Sequence, residues 1–490
     1  MKSQYILAID QGTTGSTVSL YNERGQVVKR ADKDFEQIFP KPGWVEHRTS
    51  DIWETVLYGI GEVVSKIDAR QIAAIGITNQ RETVAAWNRT TGEPVMNAIV
   101  WQCRRTTEEC QKLKPKEKVV RAKTGLLMDP YFSASKMAWI LKNNEKAKKL
   151  AANNQLCFGT MDTFLIWQLT KGQSYKTDPS NASRTMLFHL KKQIFDKELL
   201  KLFKISADAL PEIEFNNGHF GVTKGVPGLP DGIPIHGVIG DQQSALFGQG
   251  GIHKGDAKIT FGTGSFLLFN TGNQIVPSKK GLLSTVAWVW KGHKPVYALE
   301  GGAFICGAAV QWLRDGLGFI EKSSEVERLA RSVETSEGVE FVPALSGLGA
   351  PYWQPQARGI IKGLSRGTTR AHIARATLEA MALQNLDILD VMKSEAKLKL
   401  SRVRVDGGAT ENDLLMQLQS DYLGIDVEVP QNIETTSTGA ALMAGLGVGL
   451  WDVSDLHKVN PIAKKFQSQI EKRQRTERVK KWREAVRLSY

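Results

Sequence analysis

The sequence has few cysteines and lacks a long uninterrupted apolar run. Its cysteines show neither the paired spacing of a zinc site nor the density of a secreted disulfide framework, so we expect reduced thiols at Cys103, Cys110, Cys157 and Cys306. The most apolar late segment, 440–451, is too short for a membrane span of about 20 residues. The N-terminal apolar stretch is likewise too short for a signal peptide. These absences predict a cytoplasmic chain without membrane insertion.

Acidic residues are also in short supply, since 51 Asp and Glu face 64 Lys and Arg. The excess is concentrated in residues 458–490, where eleven Lys or Arg and three Glu give a net charge of +8. Apolar residues recur in this tail at roughly helical spacing, at Phe466, Ile470, Val479, Trp482 and Val486. We predict that residues 451–490 form a docked, basic amphipathic helical tail with a solvated charged face, and no nucleic-acid partner.

Two hairpins with glycine and threonine at their tips are predicted far apart in the chain. In the first, strands at 5–10 and 16–21 flank the tip 11–15, and in the second, strands at 257–261 and 266–270 flank Gly262 to Ser265. Glycine lets the backbone approach a phosphate, and hydroxyl side chains add donors beside exposed N–H groups. The repetition predicts an internal duplication with one polyphosphate cleft between the two halves.

The rest of the chain alternates strand-like and helical patterns, which indicates the α/β class. We predict strands at 72–78, 83–87 and 402–405, and helices at 135–150 and 372–392. The loop 406–412 leads into another helix, as expected for a nucleotide contact. Because 490 residues exceed what one core supports, we expect two large domains, 1–250 and 251–450, divided at the glycine-rich break 248–254.

Several motifs resemble those of the FGGY family of carbohydrate kinases. DQGTTG at 10–15 and FGTGSF at 261–266 are similar to its two phosphate hairpins, and DGGATEN at 406–412 to its adenosine loop. GIIKGLSRGTTRAHIARATLE at 359–379 is similar to a longer family signature. The resemblance covers about residues 5–450. It implies an α/β fold in which two actin-like, ribonuclease-H-like domains flank a nucleotide and substrate cleft.

Four further stretches resemble the family members that phosphorylate glycerol. They are GITNQRET at 76–83, AIVWQCRRT at 98–106, GLLMDPYFSASK at 125–136 and GDQQSALFGQ at 240–249. The resemblance implies ATP-dependent phosphorylation of glycerol to sn-glycerol 3-phosphate, with ATP and Mg²⁺ as cofactors. It also implies a homo-oligomer, either a dimer or a tetramer.

The resemblance assigns the acceptor contacts to Arg81, Glu82, Trp101, Tyr131, Asp241, Gln242 and Phe266, with Asp241 as the catalytic general base. The residue types suit a triol, since Arg donates, carboxylates accept, and aromatic rings cover the carbon chain. Each of these residues, considered alone, could instead have an ordinary structural role. Arg81 and Glu82 suit a surface ion pair, Trp101 and Phe266 a core, and Asp241 a helix cap.

The resemblance also assigns the nucleotide contacts to Thr13, Thr14, Gly15, Thr263, Gly307, Gln311, Gly408 and Asn412. Asp10 is implied to hold Mg²⁺ through water, in keeping with an ion that takes oxygen ligands and retains several waters.

Two departures from the family pattern stand out. Many members that use glycerol read DQGTTSSR in the first hairpin, whereas Gly15 and Thr17 replace a serine and the arginine here, which is expected to alter nucleotide affinity. Some bacterial relatives carry a Gly-Thr-Arg loop that binds fructose 1,6-bisphosphate. The corresponding stretch here, 230–233, has no arginine, so we expect no inhibition by that sugar bisphosphate.

Two alternatives remain open from the sequence. One is a kinase of another polyol or ketose, such as erythritol or xylulose, because the nucleotide motifs are shared across the family. The other is a non-catalytic, actin-like ATP-binding module. Retention of Asp10 and Asp241 argues against the second, and the Arg81–Glu82 pair with Trp101 and Tyr131 argues against the first.

Overall fold

The computed structural model describes residues 4–456 and 460–490, so Lys458 of the predicted tail lies outside the described residues. The strands of the first half are β1 Tyr5–Gln11, β2 Gly15–Asn22, β3 Val27–Asp34, β4 Glu46–His47, β5 Ile72–Asn79, β6 Ala85–Asn88, β7 Ala98–Ile99, β8 Leu156–Gly159, β9 Lys176–Thr177, β10 Phe188–His189, β11 Ile194–Phe195, β12 Glu212–Ile213, β13 His219–Val222 and β14 Pro234–Gly240. Its helices are α1 Thr49–Val64, α2 Thr107–Leu113, α3 Glu117–Thr124, α4 Ser133–Asn143, α5 Glu145–Ala152, α6 Met161–Leu169, α7 Pro179–Ala182, α8 Lys197–Phe203 and α9 Asp241–Gly248.

The second half continues with a similar alternation. Its strands are β15 Asp256–Phe261, β16 Ser265–Gly272, β17 Leu283–Trp288, β18 Val296–Ala303, β19 Glu340–Val342, β20 Ile360–Lys362, β21 Arg402–Asp406, β22 Val427–Pro430 and β23 Ile462–Phe466. Its helices are α10 Gly307–Asp315, α11 Glu325–Arg331, α12 Arg370–Ala396, α13 Asp413–Leu423, α14 Thr435–Gly447 and α15 Lys472–Arg487. Short 3₁₀ turns lie at Ala69–Gln71, Lys114–Lys116, Ala207–Ala209, Gly408–Glu411 and Val453–Asp455.

Each half is organised around one large sheet, and the two sheets share a topology. The first has the order β13-β14-β5-β1-β2-β3, and the second has the order β17-β18-β16-β15-β21-β22-β23. In both, the hairpin strands pair antiparallel and two later strands add in parallel on the other side: β5 and β14 in the first, β21 and β22 in the second. The predicted duplication and both predicted hairpins are therefore present in the structure.

The two halves share a buried contact made by α14 of the second half. Its residues Ala440 to Ala444 pack with Ile6, Ala74 and Ile239 of the first sheet in one apolar cluster. The helix also crosses α9 closely, because a side chain at Gly439 would overlap the carbonyl of Ser244. This crossing fixes α9, and hence Asp241 at its start, against the second half.

Two predicted elements need correction. The helix predicted at 135–150 is two helices, since α4 ends at Asn143 and the Asn144 side chain caps α5 by accepting from the Ala147 amide at 2.8 Å. The tail predicted to be helical over 451–490 contains the strand β23, whose Phe466 pairs with Val427. The apolar residues of this segment recur at roughly helical spacing, which explains the prediction of a helix. The segment instead forms backbone hydrogen bonds with β22, which would otherwise be an edge strand of the sheet.

The last helix is docked through the apolar face identified in the sequence. Trp482, Ala485 and Val486 are buried in the core of the second half, and Arg483 pairs with Asp387 at 2.8 Å. Across residues 4–456 and 460–490, no helix combines the length and apolarity needed to span a bilayer.

Candidate active site

Three parallel strands of the first sheet end at one edge and bring polar residues together there. β5 lies between β1 and β14, with Thr78 opposite both Asp10 and Ile239. Asp10 therefore lies near the end of β1, Arg81 and Glu82 follow β5, and Asp241 follows β14. The carboxyl ends of neighbouring parallel strands are the usual place for a ligand in α/β sheets.

Arg81 is the centre of a buried group of charges. Its side chain is 2% exposed, with Nε 3.0 Å from Oδ1 of Asp241 and 3.7 Å from Oε1 of Glu82. Its two terminal nitrogens donate to the two carboxylate oxygens of Glu300, at 2.6 and 2.9 Å. The interpretation of Arg81 and Glu82 as a surface ion pair is therefore wrong, because both are buried and belong to a larger group.

Three members of this group were missed by the sequence reasoning: Arg184, Gln243 and Glu300. Nε of Arg184 donates to Oε1 of Glu82 at 2.7 Å, and its Nη2 donates to Oε1 of Glu300 at 3.0 Å. Gln243 accepts from Nη1 of Arg81 at 3.1 Å. The available signal for Glu300 was a single acidic residue inside the apolar strand β18, where an unpaired charge would be costly.

Asp241 is the exposed member of the group, since 30% of its side chain is accessible while Arg81 beside it is buried. It is the first residue of α9, and Gly240 is the cap residue, so Asp241 is not the N-cap. Its Oδ1 accepts from the Gln242 amide at 2.6 Å. Burial and Glu82 raise the pKa of Asp241, and Arg81 opposes them, with a net increase.

Aromatic residues form a wall beside the charged group. The rings of Trp101 and Tyr131 meet edge to face with centroids 5.5 Å apart, and Tyr131 meets Phe132 in the same way at 5.1 Å. Both Trp101 and Tyr131 are partly exposed, so they are not closed core residues. The indole N–H of Trp101 donates to Oγ1 of Thr13 at 2.9 Å, which joins this wall to the first hairpin tip.

Gln242 contacts the second half of the protein, and Phe266 belongs to that half. The carbonyl oxygen of the Gln242 side chain accepts from the ammonium of Lys258, which also donates to Oγ1 of Thr260 at 2.6 Å. Lys258 is buried on β15, and burial lowers its pKa to about 8 although the nearby Asp406 and Asp241 oppose this. Phe266 is partly exposed on β16 and packs against Gly302. Lys258 is a further residue that the sequence reasoning did not single out.

The second hairpin tip is held against the start of α10. The amides of Cys306 and Ala308 donate to the carbonyl of Thr263 at 2.8 and 3.1 Å, and the amide of Gly307 donates to that of Gly262 at 3.0 Å. A Cβ at Gly307 would lie 2.7 Å from the Gly262 carbonyl oxygen. Thr263 and Gly307 are thus brought together, and Gln311 lies exposed one turn further along α10.

The first hairpin tip leaves little room for a side chain at Gly15. A Cβ at this position would lie 2.6 Å from Oδ1 of Asp34 and 2.7 Å from the Lys33 carbonyl, so a side chain requires β3 to move away. Thr17 of β2 donates to Oδ1 of Asp32 on the neighbouring strand β3 at 2.6 Å. Thr14 is exposed at the tip.

The predicted adenosine loop follows β21, next to the second hairpin strand β15 in the same sheet. Gly408 is exposed there, within a 3₁₀ turn. The side-chain oxygen of Asn412 caps α13 by accepting from the Leu415 amide at 2.8 Å. The NH₂ group of Asn412 is left to contact a ligand, and its oxygen keeps a second acceptor position.

Asp10 and its surroundings suit a divalent cation. Burial, Asp241 and Glu434 raise the pKa of Asp10 to about 8, against a smaller opposing effect of Arg30. A cation relieves that crowding of carboxylates. Within the described part of the chain, no cluster of three or more His, Cys, Asp or Glu is arranged to hold a metal. The carboxylate of Asp10 fits Mg²⁺, which binds one or two carboxylates together with water and substrate phosphates.

Both halves of the chain match models of known protein domains. Residues 5–248 match the N-terminal domain of the FGGY family of carbohydrate kinases, and residues 257–448 match its C-terminal domain. This chain belongs to the FGGY family. Its two sheets are accordingly the cores of two actin-like, ribonuclease-H-like domains, which confirms the predicted fold class.

Relatives of high identity are glycerol kinases. The chain is 56% identical to a glycerol kinase of Bdellovibrio bacteriovorus over 489 residues, covering 99% of both chains. It is 50% identical to a glycerol kinase of Pseudothermotoga lettingae, covering 100% of this chain and 99% of the relative.

Among solved FGGY structures, the glycerol kinase of Plasmodium falciparum with ADP superposes with a TM-score of 0.95 at 39% identity, over 99% of this chain and 98% of that one. A xylulose kinase of Lactobacillus acidophilus reaches a TM-score of 0.87 at 23% identity, covering 99% of this chain and 97% of that one, and shows the shared fold alone.

Proposed function

We propose that this protein phosphorylates glycerol with ATP, giving sn-glycerol 3-phosphate, and that Asp241 is the general base. The observation that carries the proposal is the position of the Asp241 carboxylate, which is partly exposed at the edge of the first sheet where β1, β5 and β14 end, and is held 3.0 Å from a buried guanidinium. The names of the relatives, at up to 56% identity along nearly the whole chain, support glycerol as the acceptor.

The acceptor end suits a small triol. Each hydroxyl buried there needs a partner, because an unsatisfied buried polar group costs about 1–3 kcal/mol. Glu82 and Asp241 offer acceptors. Arg81 offers a donor, since its buried Nε lacks a hydrogen-bond partner of good geometry among the described residues, even with Asp241 close by. Trp101, Tyr131 and Phe266 are proposed to cover the carbon chain, and Gln242 to contact a hydroxyl.

Asp241 is proposed to take the proton of the attacking hydroxyl. As that oxygen bonds to the γ-phosphorus, the bond between this phosphorus and the β,γ-bridging oxygen breaks, and ADP leaves with that electron pair. A raised pKa makes the carboxylate a better proton acceptor than an ordinary aspartate. The proton then passes from Asp241 to solvent after product release.

The donor end is proposed to hold ATP between the two hairpins. Hydroxyls and backbone amides of the tips suit phosphate oxygens, and the exposed loop after β21 suits the nucleoside. These proposed contacts are Thr13, Thr14, Gly15, Thr263, Gly307, Gln311, Gly408 and Asn412. Asp10 is proposed to hold Mg²⁺ through water, and the bound ion would neutralise charge on the transferred phosphate.

A coupled ADP-release assay tests the proposal with four conditions: glycerol, erythritol, xylulose and no acceptor. We expect ADP release that depends on glycerol and is at background level without an acceptor. Release that depends on xylulose or erythritol alone would contradict the choice of acceptor. Release that no acceptor changes, or ATP binding without turnover, would instead indicate an ATPase or a non-catalytic module.

A further inference from the structure

The charged group around Arg81 spans the two halves of the protein. Arg81, Glu82 and Arg184 belong to the first half, whereas Glu300 lies on β18 of the second. Their side chains are at most 5% exposed. Glu300 accepts three hydrogen bonds from the two arginines, at 2.6, 2.9 and 3.0 Å.

This arrangement fixes the proposed acceptor contacts from behind. The guanidinium of Arg81 is bound to Glu300 through both terminal nitrogens, which leaves Nε 3.0 Å from Oδ1 of Asp241 but without a hydrogen bond of good geometry among the described residues. A two-point guanidinium–carboxylate contact sets the plane of the fork as well as its position. Glu300 thereby determines where the Nε–H of Arg81 points.

Arg184 performs the same task for other members of the site. Its Nε holds Glu82 at 2.7 Å, and its guanidinium lies 6.0 Å from the ring centre of Tyr131 and 5.4 Å from that of Phe132. Arg184 therefore supports two proposed acceptor contacts, Glu82 and Tyr131. Through Nη2 it is itself anchored on Glu300.

The charges of this group depend on one another. Despite its burial, Arg184 and Arg81 lower the pKa of Glu300 to about 2, so it stays ionised. Removing that charge leaves two buried guanidinium groups competing for Glu82 and Asp241. Arg81 would then turn toward these acceptor-side carboxylates, which are the groups proposed to receive hydroxyls.

We propose that Glu300 and Arg184 are positioning residues for acceptor binding, and that the acceptor site is complete only when β18 of the second half lies against the first. The inference rests on the proposed function, since it concerns how the same site recognises its polyol. It predicts that losing either residue weakens glycerol binding selectively. The proposed nucleotide contacts lie on other segments, the two hairpin tips and the loop after β21.

The test measures KM for glycerol and for ATP separately in Glu300→Gln, which keeps the size of the side chain and removes its charge. We expect KM for glycerol to rise at least about tenfold and KM for ATP to stay within about twofold. Glu300→Asp restores the charge at a shorter reach, so we expect an intermediate KM for glycerol. Arg184→Lys keeps the charge but loses the fork, and we expect it to behave like Glu300→Gln.

Glu379→Gln is the matched control, because Glu379 is also a buried acid of the second half and pairs with Arg478 at 2.7 Å, in the contact between α12 and α15. We expect Glu379→Gln to lower the melting temperature about as much as Glu300→Gln does, and to leave KM for glycerol unchanged.

The inference is overturned if Glu300→Gln changes neither KM for glycerol nor KM for ATP, if it changes both equally, or if Glu379→Gln raises KM for glycerol as much as Glu300→Gln does. If Glu300→Gln does not fold, Glu300→Asp and Arg184→Lys decide by the same criterion. Absence of glycerol-dependent turnover in the unmodified protein would instead contradict the proposed function itself.

Discussion

The proposed acceptor end and the proposed donor end of the site differ in what the chain presents to a ligand. At the acceptor end, charged side chains are buried and held by other side chains, as Arg81 is by Glu300. At the donor end, the tips of the hairpins present glycine, hydroxyls and backbone, and Thr14, Thr263 and Gly408 are exposed. A small triol offers few atoms and needs exact pairing, whereas a triphosphate offers many oxygens to any amide or hydroxyl nearby. Substitutions at the two ends should therefore separate in their kinetic effects.

The largest effect is expected from Asp241→Asn, which removes the proposed base but keeps the shape of the side chain. We expect kcat to fall by about 10³-fold, with KM for ATP nearly unchanged, because a general base contributes about 10²–10⁴. Steady-state kinetics at saturating glycerol measures the change. An unaltered kcat would contradict the assignment of Asp241 as the base. A rise in KM for ATP as large as the fall in kcat would contradict the expectation that the acceptor and donor ends act separately.

Arg81→Lys is expected to act on the acceptor end alone, with the next largest effect. A lysine cannot contact both oxygens of Glu300 and also present a donor to the acceptor, so kcat/KM for glycerol should fall about 100-fold. Arg478→Lys is a suitable control, since Arg478 contacts both carboxylate oxygens of Glu340 at 2.7 Å and lies on α15. Equal losses in both variants would mean that destabilisation, not acceptor recognition, explains the result.

The pH dependence of kcat/KM for glycerol reports on the charges around the base. Because the pKa of Asp241 is raised by burial and the base must be ionised, activity should fall about tenfold per pH unit below that pKa. Glu82 raises this pKa and Arg81 lowers it. Glu82→Gln should therefore move the acidic limb to lower pH, and Arg81→Met should move it to higher pH. Shifts in the same direction in both variants would contradict the assignment of that limb to Asp241.

The smallest effect is expected at the donor end, from Gly307→Ala. The added Cβ would lie 2.7 Å from the Gly262 carbonyl, so the second hairpin must shift, and KM for ATP should rise about fivefold with KM for glycerol unchanged. Gly61→Ala in α1 provides the control, since a Cβ there meets no atom within 4 Å. A change in KM for glycerol in Gly307→Ala would show that the two ends are coupled more tightly than their contacts suggest.

Much of the fold followed from local patterns. The strands of both hairpins, the long helix α12 and the strand β21 were predicted because apolar periodicity and glycine turns are properties of neighbouring residues. The break at Asn144 was missed because the apolar pattern continues across it. The strand β23 was missed because its reason is a partner strand distant in sequence.

Only some residues of the candidate site were identified from the sequence. Motifs containing Asp241, Arg81 and the hairpin tips are continuous in sequence and could be matched as short stretches. Glu300, Arg184 and Lys258 sit singly in segments with no motif of their own, and each acquires its role from a residue on another element.

The sequence by itself determined the repeated hairpins, the α/β alternation and the family to which the chain belongs, because these depend on residues near one another along the chain. The tertiary structure alone decided that Glu300 of one half completes the charged group of the other. A lone acidic residue in an apolar strand becomes interpretable only when folding brings two arginines within hydrogen-bonding distance. The free energy of a buried charge depends on its neighbours in space, and the order of residues does not specify those neighbours.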